Sequence, residues 1–464
     1  MAHRRLAGSV AFSALLLLSS LSGGRRLAAQ SAAPPALGKG ATESLCARYD
    51  SSEHWLQKAV VLLSLHGYWH PVGTSIVLQA IQDRDERLRA FGIEALRRAE
   101  PELLPKVASA ELVDELVRRQ VTSKNELYQA RVLEVLQRIA PAAGCENERD
   151  WTRWWLQQGG VFEPQEWQPK PQPDATGEGT AAAAQRAFDL YQSGLELMIC
   201  IDSTGSMQPA IDALAGALDE MVDILDGLSP KLRIGIVHYK DHGELGKTGA
   251  KVVQPLGKNV GAARKKLEKL RAMGGGDLPE AVLGGLELVF DKRTKWKDEA
   301  NKLVILIGDA PPHEAELERA VDLARNAFEH PGSELGKPAT GQPVGEPCRT
   351  SAIAVNFKLA PGLPVAPGYA EFQKSQEKMR ADFRAIAEAG GGVFAEVEFV
   401  LDGSGPMSSK ERRKVREQGG AIAGSATRSI VEHILVLSFG AQHAREMKDL
   451  LTIFFDYKAA GWFD

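Results

Sequence analysis

Five side chains stand out by type and spacing. Asp202, Thr204 and Ser206 occupy alternate positions in Asp202-Ser203-Thr204-Gly205-Ser206-Met207. A strand end that points alternate side chains one way can aim this carboxylate and two hydroxyls at one point. A second carboxylate comes in Gly274-Gly275-Gly276-Asp277-Leu278-Pro279-Glu280, where three glycines allow close backbone approach and Pro279 fits the first turn of a helix. A third comes in Gly308-Asp309-Ala310-Pro311-Pro312, directly after a strongly hydrophobic run. Oxygen donors of this kind suit Mg²⁺, or Mn²⁺ or Ca²⁺, and suit zinc or copper poorly. Each residue alone has a plainer role: Ser206 as a helix cap, each aspartate as a turn residue. Their joint position at strand ends favours the shared cation.

The elements that must position these residues are legible from periodicity. Short apolar runs at Leu195–Ile201, Leu232–Tyr239, Leu303–Ile307, Ser351–Phe357 and Val393–Val397 alternate with amphipathic stretches. The latter are Ile211–Leu225, Val260–Arg271, Pro279–Val289, Ala315–Phe328 and Phe372–Ala389, with a closing helix at Thr427–Leu437. Runs that are apolar on both faces, alternating with helices, predict an α/β fold with a doubly wound, mostly parallel sheet. Ligands of such sheets bind beyond the carboxyl ends of the strands, which is where Asp202 and Asp309 fall.

These residues resemble a known family. Asp202-x-Thr204-x-Ser206 is similar to the DxSxS element of the metal-ion-dependent adhesion site of von Willebrand factor A domains, with threonine in place of one serine. The glycine-rich loop with Asp277 and the strand-end Asp309 follow in the expected order, and Tyr239-Lys240-Asp241-His242-Gly243-Glu244 resembles a loop of many bacterial members. The resemblance covers roughly 190–400. It implies a Rossmann-like sheet in which Thr204 and Ser206 coordinate Mg²⁺ directly, with Asp202 and Asp309 holding it directly or through water. One open position would then receive an acidic side chain of a protein ligand. Asp277 stands where the adhesion members have threonine; as a direct ligand it would take the open position and weaken attraction for an incoming carboxylate.

Rival chemistries fare worse. His238 and His242 do not reliably converge when a strand runs on into a loop, so a transition-metal site there is disfavoured. His313 reads as a surface turn residue. No nucleophile elbow surrounds Ser206, and no Lys-Ser/Thr follows Gly274-Gly275-Gly276, which argues against a hydrolase of that type and against phosphate binding. A metal-dependent hydrolase, or an accessory subunit of an enzyme complex, would need a base beside a metal-bound water, and His313 and Glu280 are the nearby candidates. The expectation is a protein that is not an enzyme.

Upstream, about 43–160 reads as helix after helix. Arg89–Arg98 and Gln129–Arg138 share Ala, Glu, Leu and Arg at an offset of 40, and each runs on to a proline, Pro101 and Pro141. A weaker third copy begins near Ala59. A period of about 40 with paired helices resembles HEAT-type repeats; an irregular bundle is the alternative. Asp150-Trp151-Thr152-Arg153-Trp154-Trp155 would cap the stack, and the Pro/Gln/Gly-rich stretch 161–180 reads as a linker.

The first 29 residues have basic His3-Arg4-Arg5, an apolar Leu6–Leu21 stretch and small residues ending at Ala28-Ala29-Gln30, the pattern of a signal peptide. Export to a secreted, periplasmic or cell-surface position follows, with membrane contact only if the segment is retained as an anchor. Exported cysteines can pair. Cys46 and Cys145 bracket the helical region as a reasonable pair, while Cys200 is a buried thiol or a partner of Cys348. A composition of 44% hydrophobic and 25% charged residues in 464 describes an ordinary globular chain, and a net charge of −4 gives no footprint for nucleic acid. The expected order is thus a signal over 1–29, a HEAT-like helical domain over 43–160, a linker over 161–180 and a von Willebrand factor A domain with a C-terminal helical extension over 190–464.

Overall fold

Apolar runs flanked by amphipathic helices fold, in this computed structural model, into one six-stranded sheet covered on both faces. The structure describes residues 39–65, 69–158, 162–165, 182–275, 279–331, 345–359, 369–401 and 425–462. The expected signal segment, most of the linker and Asp277 lie outside them.

The strands are β1 (Leu195–Asp202), β2 (Arg233–Tyr239), β3 (Ala250–Gly257), β4 (Asn301–Gly308), β5 (Cys348–Leu359) and β6 (Gly391–Leu401). They lie in the order β3-β2-β1-β4-β5-β6, with β3 alone antiparallel. Chain order reverses between β1 and β4. At that switch point the connections leave in opposite directions and open a crevice beyond the strand ends. Every residue of β1 is buried. Leu197, Ile199 and Ile201 face one core, Met198 and Cys200 the other. β3 was not foreseen as a strand. It carries Pro255, pairs on one side only and is broken by register shifts, which is the edge position where proline is tolerated.

The N-terminal part carries helices α1 (Lys39–Ser51), α2 (Trp55–Ser64), α3 (Thr74–Gln82), α4 (Glu86–Arg98), α5 (Leu104–Val107), α6 (Ala110–Thr122), α7 (Glu126–Ile139) and α8 (Glu148–Gln158). Their starts obey capping chemistry: Asp85, Ser109 and Asn125 each accept a hydrogen bond from a first-turn amide of α4, α6 and α7. α3 lies against α4, α6 against α7, and α4 against α7, so two helix pairs stack as a helical repeat would. The residues behind the offset of 40 meet in space. Arg97 reaches Glu134 at 2.8 Å, the counterpart of Glu94, and Arg138 donates to the carbonyls of Arg97 and Ala99.

Helix α9 (Ala182–Ser193) leads into β1, and α10 (Gln208–Leu228), α11 (Val260–Lys269), α12 (Val282–Val289), α13 (Glu314–Glu329) and α14 (Tyr369–Ala389) flank the sheet. The chain then adds α15 (Ser425–Phe439), which packs on α10 and β6, and α16 (Ala444–Ala459), which lies on α2 and α4. Trp55 stacks on Phe454 at 5.7 Å, and Asn125 donates to the Ala460 carbonyl at 2.8 Å. Helices from both ends of the chain and one face of the sheet therefore share a single apolar core. The four cysteines are free. The expected Cys46–Cys145 pair does not form: the Cys46 thiol faces the Val72 carbonyl and the Cys145 thiol the Ala143 carbonyl.

Candidate metal centre

β1 and β4 are adjacent and parallel, with Ile201 opposite Ile307. Asp202 and Asp309 therefore emerge side by side from neighbouring strand ends, both buried. Asp202 Oδ1 accepts two hydrogen bonds from Thr204, from its amide at 2.7 Å and its hydroxyl at 2.8 Å. Oδ2 of Asp202 and both oxygens of Asp309 are buried without a hydrogen-bond partner of ordinary geometry. Ser206 is exposed beside them. Its hydroxyl is not consumed by capping, because α10 starts behind Met207 with no side-chain cap.

The glycine-rich loop is laced to this corner. Met273 N donates to Ser203 O at 3.2 Å and Gly205 N to Gly274 O at 3.1 Å. Gly275 N donates to Glu244 Oε1 at 2.8 Å, and the Lys240 ammonium reaches the Met273 carbonyl. Gly274 has φ +79°, and a Cβ there would come within 1.9 Å of the Glu244 carboxylate. Asp277 itself lies in 276–278, outside the described residues.

Beyond it the chain departs from expectation. Pro279 does not open a helix. Glu280 N donates to Pro311 O and Ala281 N to Lys240 O, both at 2.9 Å, and Glu280 pairs with Pro312 in a parallel bridge. These bonds pin 279–281 between two strand-end loops, and α12 begins only at Val282. The Glu280 side chain is thereby buried at 2% exposure, with Oε2 unpartnered. Sequence reading had named Glu280 only as a candidate base. Its spacing of three residues from Asp277 was not weighed as a ligand pattern.

Electrostatics follow from burial. Asp202 is raised well above the usual carboxylate range by burial and then by Asp309. Burial pushes Asp309 up to about 6, with the Ser206 hydroxyl pulling it back. Glu280 is pushed up to about 9, by burial first and then by Asp202, Asp241, Asp309 and Glu244. Like charges out of water raise one another in this way when no cation stands between them. Among the described residues no three His, Cys, Asp or Glu side chains gather as a metal site on their own, so hydroxyls would have to complete a coordination shell. Orphaned buried carboxylate oxygens and neighbouring hydroxyls, all hard donors, fit a divalent cation.

The histidines part company. His238 Nδ1 meets the buried Ser203 hydroxyl at 2.9 Å, and burial, then Lys240 and Lys251, lower it to about 4. His242 bonds Glu316 at 3.0 Å and His313 bonds Asp241 at 2.9 Å, with the two rings stacked at 4.6 Å. Ser203 was not singled out in the sequence, and its β-strand-end neighbour Asp202 masks it.

A doubly wound, mostly parallel sheet with buried carboxylates at its switch point defines an α/β domain. The family model for the von Willebrand factor type A domain matches residues 196–330, and this part of the chain is such a domain. The alpha-protein kinase vwkA of Dictyostelium discoideum is 30% identical over 133 residues, 28% of this chain and 20% of that protein. The ariadne-like RING finger protein R811 of Acanthamoeba polyphaga mimivirus, as that protein is named, is 32% identical over 122 residues, 26% of this chain and 12% of that protein. The chain thus spans a fifth or less of the curated relatives it matches. The open conformation of the pilus adhesin SpaC from Lactobacillus rhamnosus GG aligns with a TM-score of 0.27 at 14% identity, covering 51% of this chain and 30% of that one.

Proposed function

We propose that this is an exported scaffolding protein that binds other proteins in a divalent-cation-dependent manner through its von Willebrand factor type A domain. Such domains are commonly non-catalytic interaction modules. The observation that carries the reading is the pair of buried, partly orphaned carboxylates, Asp202 and Asp309, at adjoining strand ends with no positive charge between them. Desolvating two carboxylates side by side is costly unless a cation compensates. Asp202, Thr204, Ser206 and Asp309, with Asp277, would hold Mg²⁺ (or Mn²⁺ or Ca²⁺), and the buried Glu280 is a further oxygen donor on the same corner. The bound ion would supply a point of attachment for an acidic side chain of a protein partner. The protein's own contribution is orientation: Thr204 fixes Asp202, and the Lys240–Glu244 pair fixes the glycine loop.

The stacked helix pairs are read as a HEAT-like interaction surface over 43–160, joined through 161–180 to the domain over 190–464. Residues 1–29 are read as the export signal, which places the protein in a secreted, periplasmic or cell-surface setting. Among the described residues no helix is long and apolar enough to cross a membrane. The alternative, a metal-dependent hydrolase or an accessory subunit of an enzyme complex, would draw its base from Glu280 or from His313, whose Nε2 meets Asp241 at 2.9 Å. Titration calorimetry of Mg²⁺ into the full chain and into Asp202→Ala, with affinity capture of partners in Mg²⁺ or EDTA, tests the proposal. Heat of binding lost in the variant and partners lost in EDTA support it; a wild-type chain that takes up no divalent cation overturns it.

A further inference from the structure

The stretch 247–271, which contains β3 and α11, carries eight lysines and arginines and one acidic residue, Glu268, in a chain whose net charge is −4. α11 packs on α10, β2 and β3, with Ala263 and Leu267 buried. Its outward side is basic. Lys265, Lys266 and Lys269 are exposed, as are Lys258 just before the helix and Lys251 on β3. Glu268, the one carboxylate of the stretch, is paired with Arg264 at 3.8 Å. Among the described residues none of these five lysines forms an ion pair.

Fold chemistry accounts for only part of this charge. Lys266 and Lys269 stand in the last turn of α11, where cations suit the helix dipole, and Lys251 on an edge strand discourages sheet-to-sheet pairing. Lys258 lies at the other end, directly before the Asn259 cap, where the dipole disfavours a cation. Lys265 is one turn from Lys269, a like-charge spacing that weakens a helix. The face therefore concentrates positive potential that the fold does not use, on a chain that is acidic elsewhere. The exposed apolar groups beside it are Val252 and Met273, 39% and 65% exposed. Neither is an aromatic ring on which a nucleic-acid base stacks. The apolar side of α11 is spent on the core, so it offers no Trp, Phe or Leu anchor to a membrane surface. The helix runs on through Arg271 into the glycine loop, where Met273 N donates to Ser203 O, so the basic face ends at the corner of Asp202.

We propose that this face, formed by Lys251, Lys258, Lys265, Lys266 and Lys269, docks an acidic segment of a partner protein, a run of Asp and Glu side chains laid along α11. The ten residues of α11 span about 15 Å, the reach of about five residues of extended chain. Lysine ammoniums are compact charges on flexible stems, so they select charge density along the segment and steer its approach rather than fix one geometry. The inference rests on the reading of the domain as a protein-binding module and not on its cation. It is assayed in EDTA, where failure of the cation reading leaves it standing.

The probe is a fluorescein-labelled octaglutamate peptide, followed by fluorescence anisotropy with the full chain. Wild type should bind it, with affinity falling between about 50 and about 200 mM NaCl as exposed charges are screened. Lys265→Glu combined with Lys269→Glu reverses two charges on the exposed side of α11. This double variant should keep the wild-type melting temperature and bind about 10-fold more weakly or worse. Lys124→Glu combined with Lys374→Glu, at exposed lysines away from the face, changes the net charge equally and should bind as wild type does. Phosphatidylserine-containing vesicles and duplex DNA are the competing anions. A wild-type chain that ignores octaglutamate, equal binding losses in the two double variants, or tighter binding to vesicles or DNA than to the peptide overturns the proposal.

Discussion

Thr204 is joined to Asp202 twice on a single oxygen: its amide and its hydroxyl both reach Oδ1, at 2.7 and 2.8 Å. Oδ2 of the same buried carboxylate has no partner. Half of the group is spent on fixing the loop, and half is left facing Asp309. A carboxylate serving only as a turn cap would not need burial beside a second one. On the proposed reading, Asp202 is a ligand held in place before its cation arrives, which would lower the ordering cost of binding.

Asp202→Asn keeps the acceptor for Thr204 and deletes one of two buried like charges. Without divalent cation the variant should melt at or above the wild-type temperature. With Mg²⁺ at about 100 times its Kd, wild type should gain about 2.7 kcal/mol, a shift of several degrees, and the variant should gain almost nothing. Thermal melts in EDTA and in Mg²⁺ read both effects. A wild-type melt indifferent to Mg²⁺ would sink the assignment.

Raised carboxylates make a signed pH prediction. Glu280 is pushed up to about 9 in the fold from an ordinary value of 4.5, and Asp309 up to about 6 from 3.8. The folded state holds the extra protons, so this stabilisation is complete below the unfolded values and is lost as pH rises through the folded ones. In EDTA the urea midpoint should therefore fall between pH 5 and 9. Glu280→Gln should flatten that fall relative to wild type, and Mg²⁺ should flatten it in wild type by favouring the charged forms. Equal slopes for wild type and Glu280→Gln in EDTA would refute the placement of Glu280.

Much of this was legible beforehand. The parallel strands announced themselves because both faces are buried, leaving Leu195–Ile201 and Leu303–Ile307 almost free of polar residues. Asp202 and Asp309 followed, since a carboxylate directly after such a run must sit at a strand end. β3 was hidden: an edge strand buries one side only, and Val252-Val253-Gln254-Pro255 shows no clean alternation. The start of α12 was placed too early because Pro279 is as much at home in a helix's first turn as outside one. The choice was made by long-range bonds to Pro311 and Lys240, which no local pattern encodes. The position of α16 on the N-terminal helices is likewise a contact between chain ends, and periodicity carries no trace of it.

Gly274 is the position where the glycine loop has least freedom. Its φ of +79° is in the left-handed region, and a Cβ would strike the Glu244 carboxylate at 1.9 Å. Gly274→Ala should cost about 1–2 kcal/mol from backbone strain alone, and it should displace Glu244 from the Gly275 amide. The loop that leads to Asp277 then shifts, so Mg²⁺ affinity should fall together with stability. Glu244→Ala, which only frees the loop, should weaken Mg²⁺ binding with little loss of stability. Calorimetry and urea denaturation on the two variants separate the effects; unchanged Mg²⁺ affinity in both would show that the clamp does not position the site.

Trp462 ties the end of the chain to the helical part through three contacts. Its Nε1 donates to the Glu86 carbonyl at 2.8 Å, its ring covers Tyr128, and Arg89 covers the ring. Trp462→Ala should cost about 2–3 kcal/mol from the lost stack and burial of a partly exposed ring. Trp462→Phe, which keeps the stack and loses the N–H bond, should cost about 1 kcal/mol. Because helices of both chain ends and one sheet face share a core, the loss should fall on the whole molecule. Unfolding followed by far-ultraviolet circular dichroism and by tryptophan fluorescence, whose emitters lie mostly in the helical part, should give one coincident transition in wild type and in Trp462→Phe. Two separated transitions in wild type would mean that the helices and the sheet fold as independent units and that the shared core contributes no coupling between them.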